Sequence, residues 1–126
     1  PELTLPQARD MGGTKQVIVY GRLPLMILEK CVAKELGDCA TCGRGETALV
    51  DRRGAVFPVL RTFDHRSVVY NSLVTGTSDM TDKLRAAGIL GQHFVFSVES
   101  REEVCRVIEA YREGKPLGVP VRRMGK

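Results

Sequence analysis

The apolar positions of this chain fall into short runs separated by glycine, proline and charged residues. Residues 16–20 (QVIVY) are apolar and β-branched and stop at Gly21, the pattern of a buried strand. Residues 2–5 are a candidate second strand, cut short by Pro6. Residues 25–36 admit two readings. Leu28, Val32 and Leu36 recur at helical spacing between Pro24 and Gly37, yet a loop holding one helical turn fits equally well. Residues 47–51 and 55–60 flank Arg52-Arg53-Gly54 and predict a β-hairpin. Pro58 then belongs on a sheet edge, where no ladder donor is needed. Residues 67–71 (SVVYN) predict a further strand, 78–87 a helix with Met80, Leu84 and Ala87 on one face and Gly88 after it, and 93–98 (HFVFSV) another strand. The last helix carries the plainest signal. Ser100 and Glu103 form an S-x-x-E capping box, Val104, Val107, Ile108 and Tyr111 follow at i, i+3, i+4 and i+7, and Gly114 ends the run. Residues 119–126 predict a short strand and a basic tail.

From residue 67 to 114 the order is strand, helix, strand, helix. That order predicts an α/β protein built from βα units on a parallel sheet. The 126 residues suit one domain. They are too few for a closed (βα)8 barrel of about 250 residues. Hydrophobic residues at 43% and charged residues at 27% are those of an ordinary globular chain, which removes the disordered and fibrous classes. No apolar run approaches the roughly 20 residues of a membrane helix, and the N-terminus has no leader pattern, so a cytoplasmic location is expected. The formal charge of +4 permits contact with RNA, but the basic residues are scattered and Trp is absent. The aromatic platform of a single-strand binder is therefore missing, and nothing signals DNA.

Cysteine usage changes this picture. Three of the four cysteines, Cys31, Cys39 and Cys42, lie within twelve residues, and the last two form a Cys-x2-Cys pair among Gly37, Gly43 and Gly45. In a reducing compartment such clustering points to metal or redox chemistry. Thiolates suit zinc, copper(I) or iron–sulfur clusters. A tetrahedral site needs a fourth ligand, for which His65 is the nearest histidine, with Asp38, Asp64 or water as the other candidates. Residues 31–65 thus form a candidate metal loop. Cys105, beside the apolar face of the last helix, reads as a packing residue.

These motifs resemble a known family. The stretch from Val19 to Met26 (VYGRLPLM), then Cys31, Cys39 and Cys42, then Asp51-Arg52-Arg53-Gly54, Phe57-Pro58 and Tyr70-Asn71-Ser72, is similar to the later part of the catalytic domain of peptidase family U32, the collagenase-like family. The likeness continues from Phe94 to Pro116 and covers nearly the whole chain. It implies about half of a (βα)8 TIM-type barrel, with an inserted hairpin and a cysteine-held metal or iron–sulfur centre. It implies a hydrolase acting on peptides, or hydroxylation-type modification of RNA or quinones. Many members carry a cysteine where this chain has Pro24, they often carry a glutamate where Gln16 and Val17 stand, and some carry a cysteine shortly after Asn-Ser, where this chain has Thr75. The cysteine set of the hydroxylating members is thus incomplete, and three Cys with His65 suit zinc, the iron–sulfur cluster remaining the alternative.

In a barrel, ligand contacts come from the C-terminal ends of strands. The candidates there are Arg22, Asn71 and Glu99, with Arg22 able to hold a carboxylate or phosphate and Glu99 able to act as an acid or base. Glu99 also fits a plain role at a helix N-terminus. No proteolytic motif is readable. Ser72, Ser97 and Ser100 have no evident base, and H-E-x-x-H is absent. Half a barrel leaves open edges, which predicts a partner: a missing N-terminal half or a self-dimer. The rival expectation is a compact zinc-binding module that contacts RNA or a protein.

Overall fold

The computed structural model describes residues 3–37 and 47–123. In chain order the elements are α1 (Leu5–Asp10), β1 (Lys15–Gly21), β2 (Pro24–Leu28), α2 (Val32–Glu35), β3 (Thr47–Val50), β4 (Val56–Arg61), β5 (Ser67–Tyr70), β6 (Val74–Gly76), a 3-10 turn (Ser78–Met80), α3 (Thr81–Ala86), β7 (Ile89–Val95), α4 (Arg101–Glu113) and β8 (Val121–Arg122). The protein is thus mixed α/β. It divides into two compact units, one made of Pro1–Arg22 with Leu73–Lys126, the other of Leu23–Ser72. No helix among the described residues is long and apolar enough to cross a membrane.

The first unit is a four-stranded sheet in the order β7-β1-β6-β8. β1 runs parallel to β7 and antiparallel to β6, and β6 runs parallel to β8. Its core gathers Val19, Tyr20, Val74, Leu84, Ile89, Val107 and Tyr111. Leu84 and Val19 are fully buried. Burying side chains of this size contributes about 1.5–3 kcal/mol each. α4 begins at the Ser100–Glu103 capping box and ends at Gly114 in the left-handed conformation, as its sequence predicts, and it turns Val107 and Tyr111 inward. The Tyr111 hydroxyl accepts from the Thr77 amide at 2.9 Å and donates to the Val19 carbonyl, so one side chain ties the helix to β1 and to the start of the 3-10 turn.

Four expectations are corrected here. The strand expected at 2–5 is not present over residues 3–5, Glu2 lying outside the described residues. Thr4 caps α1, with its side chain and Gln7 in a reciprocal box and Pro6 in the first turn, where a missing N–H costs nothing. Residues 78–87 begin as a 3-10 turn before α3, and the strand expected at 93–98 starts earlier, at Ile89, directly after Gly88. The βα order from residue 67 does not give successive parallel strands. Ser67–Tyr70 pairs antiparallel in the second unit, and β6 and β7 run in opposite directions on either side of β1. Strand direction is not encoded in hydrophobic periodicity, and three-residue β6 is too short to show any.

The second unit is an antiparallel sheet in the order β2-β5-β4-β3. The predicted hairpin is present as β3 and β4, paired from Thr47 with Val59 to Val50 with Val56. Its turn is closed by Asp51, whose Oδ1 accepts from the Arg53 and Ala55 amides, with Gly54 at φ +80°. Pro58 is not on an edge strand. It lies in β4, an inner strand, but the ladder to β5 begins only at Val59, so no bond to β5 is lost. Residues 25–36 keep the single helical turn of one reading, α2, closed by Gly37 at φ +78°, but neither reading held the edge strand β2 that precedes it.

Candidate functional site

Cys31 is buried and occupies the N-cap of α2. Its side chain does not cap the helix. The Val32 amide donates instead to Ser67 Oγ at 3.1 Å, and Ser67 is itself 1% exposed. Ser67 is also the register partner of Leu28, three residues before Cys31. The turn between β4 and β5 sits at the same end of the sheet, and His65 belongs to it. His65 is exposed, with φ +62°. The Thr62 amide donates to the Arg66 carbonyl at 2.9 Å and the His65 amide to the Thr62 carbonyl at 3.2 Å. This matches the Asp51–Ala55 turn bond for bond, with His65 standing where the other turn has Gly54. Arg66 pairs there with Glu29 at 3.1 Å and with Asp64 at 3.3 Å. The Asp64 carboxyl lies below its ordinary range, chiefly through the Thr62 hydroxyl.

Cys39 and Cys42, together with Asp38, fall in 38–46, outside the described residues. Among the described residues no three His, Cys, Asp or Glu side chains converge on one point. Cys105 is exposed on α4 rather than packed, because the buried face of that helix passes through Val107 and Tyr111.

The strand-end candidates separate. Glu99 and Arg22 belong to the first unit and Asn71 to the second, where its amide donates to the Leu23 carbonyl at 2.9 Å. Glu99 closes the turn after β7. Its Oε2 accepts from the Ser97 and Val98 amides at 2.6 and 3.1 Å, and its Oε1 accepts from the Tyr20 hydroxyl at 3.2 Å. Burial, then the Glu99 charge, pushes the Tyr20 phenol well above the usual tyrosine value, and the Arg22 guanidinium partly opposes this. The Tyr20 ring meets Phe96 at 5.2 Å between centroids, and Phe94 meets Tyr111 edge-on at 4.7 Å. Ser97 Oγ is buried with no partner among the described residues. Ser100 is occupied as the α4 cap. A cavity of about 90 Å³ adjoins Tyr20, floored by Val107, Leu117 and Val119.

Sequence reasoning missed Tyr20 as the partner of Glu99. A tyrosine one residue before the glycine that ends a strand carries no motif, and the bond spans 79 residues. No family model, no curated protein and no solved structure matches the chain.

Proposed function

We propose that this chain is the metal-carrying part of a peptidase U32-like enzyme, with Cys31, Cys39, Cys42 and His65 around one zinc ion. The observation that carries this reading is the burial of Cys31 at the end of the second unit's sheet where the His65 turn also lies. A buried thiol at a short helix start, followed within eight residues by Cys-x2-Cys, gives a donor set of the kind zinc takes. When bound, the ion supplies a cross-link that holds the 38–46 segment. With four protein ligands it is structural; with water in place of His65 it keeps an open position. An iron–sulfur cluster is the alternative occupant.

The family resemblance supplies the rest of the reading: peptide or RNA as substrate, and completion by a missing part of the enzyme or by a second copy. The half (βα)8 barrel it also implies is not the arrangement seen, because β1 pairs antiparallel with β6 and β5 antiparallel with β2 and β4. Glu99, Arg22 and Asn71 are the residues proposed to meet the substrate. Glu99 already accepts three hydrogen bonds, which suits a carboxylate held in one orientation better than a mobile base.

A second reading has its own observation. Leu23–Ser72 forms a compact unit with its own four-stranded sheet and contains all four proposed ligands. A zinc-binding module contacting RNA or a protein partner fits that arrangement. Elemental analysis separates metal from no metal, and peptide cleavage against RNA binding separates the two readings. Cleavage lost in Glu99→Gln supports the enzyme. RNA binding without cleavage supports the module.

A further inference from the structure

An antiparallel sheet that shows one face to water normally alternates apolar and polar side chains. The sheet of the second unit does not. The register fixes which residues share a face. On one face the middle is covered, Val69, Val59 and Ser67 being 3%, 5% and 1% exposed, while Met26 and Leu49 at its margins are 52% and 41% exposed. On the other, Ile27, Val68 and Leu60 form one row across β2, β5 and β4. Pro58 and Ala48 form the next, and Val56 and Val50 the third. None of these seven residues is charged or carries a polar side chain. Ile27 is 66%, Val50 65% and Val56 50% exposed.

We infer that this face is the contact surface between two copies of the chain, packed sheet on sheet. Three considerations select a second copy. These rows carry no charge with which to select a partner of different chemistry; Tyr70, which shares the face with Val68 and pairs with Pro24, adds one half-buried ring with a hydroxyl. Its own copy presents the same rows at the same spacing and twist, and two such faces close about a two-fold axis into a sandwich with sheets about 10 Å apart. The exposed apolar area is on the order of 500 Å² per copy, so the pair buries about 1,000 Å². That reaches the lower bound of a specific interface, the size class of weak and reversible association. A strand edge alone would not suffice, because the covered opposite face shows that this sheet is stabilised by burial, not by pairing alone. The inference names the surface for the second copy in the proposed function, and it does not depend on the metal.

Sedimentation equilibrium of the full chain at about 10–200 µM tests it, spanning the micromolar range. A reversible dimer is expected, weakened at least tenfold by Val50→Lys and by Val56→Lys with far-ultraviolet circular dichroism unchanged. Lysine is the substitution that sheet surfaces use to prevent association. Should either lysine variant lose its fold, the Val50→Thr/Val56→Thr double variant keeps the β-branched shape and must still weaken the dimer. A monodisperse monomer at the highest concentration overturns the inference. So does a dimer whose dissociation constant is unchanged in the folded variants, which places the contact elsewhere. Metal content, measured on the same samples, reports separately on the proposed zinc site.

Discussion

The Tyr20 hydroxyl donates to Glu99 Oε1 at 3.2 Å, joining the end of β1 to the turn that follows β7. The same carboxylate accepts two backbone amides from Ser97 and Val98, so it fixes the turn that delivers the chain to the α4 cap. Removing it leaves the two amides and the phenol to find other partners. Glu99→Ala is expected to cost about 1–3 kcal/mol in urea unfolding, and Glu99→Gln less, since it keeps one acceptor. A Glu99→Ala protein of unchanged stability would mean that the carboxylate does not organise this turn.

The raised Tyr20 phenol also sets an alkaline limit. Below pH 10, the ordinary tyrosine value, the group is protonated in folded and unfolded chains alike and its contribution is complete. Above it the unfolded chain ionises while folded Tyr20 keeps its proton, so stability falls as pH rises. Tyr111, raised by burial, acts in the same direction. Unfolding free energy followed from pH 9 to 11 should decline, and decline less steeply in Tyr20→Phe. Equal slopes would contradict the burial of that phenol.

Tyr111 pins α4 to two distant segments by one oxygen. Tyr111→Phe keeps the ring against Phe94 but leaves the Thr77 amide and the Val19 carbonyl without this partner, at a cost of about 1–3 kcal/mol. Hydrogen exchange of the Thr77 amide should quicken in the variant. Unchanged exchange would show that this amide owes its protection to something else.

Gly21 sits at φ +148°, and a Cβ there would stand 2.7 Å from the Val95 carbonyl oxygen. The opposing atom is backbone and cannot turn aside. Gly21→Ala should therefore lower stability by more than about 2 kcal/mol, combining strain with a forced separation of β1 and β7. Thermal unfolding decides it.

His65 distinguishes a ligand from a turn residue. Its positive φ is a conformation that costs a non-glycine residue about 1 kcal/mol. His65→Gly should raise the stability of metal-free protein by up to about 1 kcal/mol. In the zinc-loaded protein the same change should lower zinc affinity at least tenfold. Unchanged affinity would remove His65 from the ligand set and leave it as a turn residue alone.

How much of this was legible beforehand follows from the kind of signal each element carries. α4 and the β3–β4 hairpin announce themselves through local chemistry, a capping box in one and Asp-x-x-Gly in the other, and both stand where they were expected. The α1 box of Thr4 and Gln7 carried the same signal, masked by Pro6, which suggested a broken strand. The apolar run Pro24–Leu28 was read as helix or loop, because Leu28, Val32 and Leu36 recur at helical spacing, and only pairing with β5 reveals the strand. Strand direction, the Tyr20–Glu99 bond and the Tyr111 bridge are long-range facts with no local trace. Cys105 lies two residues from Val107, about 200° around the helix, so its exposure was legible in the helical period and the packing reading misjudged it.

The central claim is one metal per chain held by Cys31, Cys39 and Cys42. Elemental analysis with visible absorption, on protein purified without oxygen, tests it most directly. One equivalent of zinc with no visible band, falling to a small fraction in Cys39→Ala, is the predicted result. One iron–sulfur cluster, seen as a broad visible band, would keep the ligand set and change the occupant. Metal-free protein that folds normally, or a Cys39→Ala variant with full metal content, would contradict the claim.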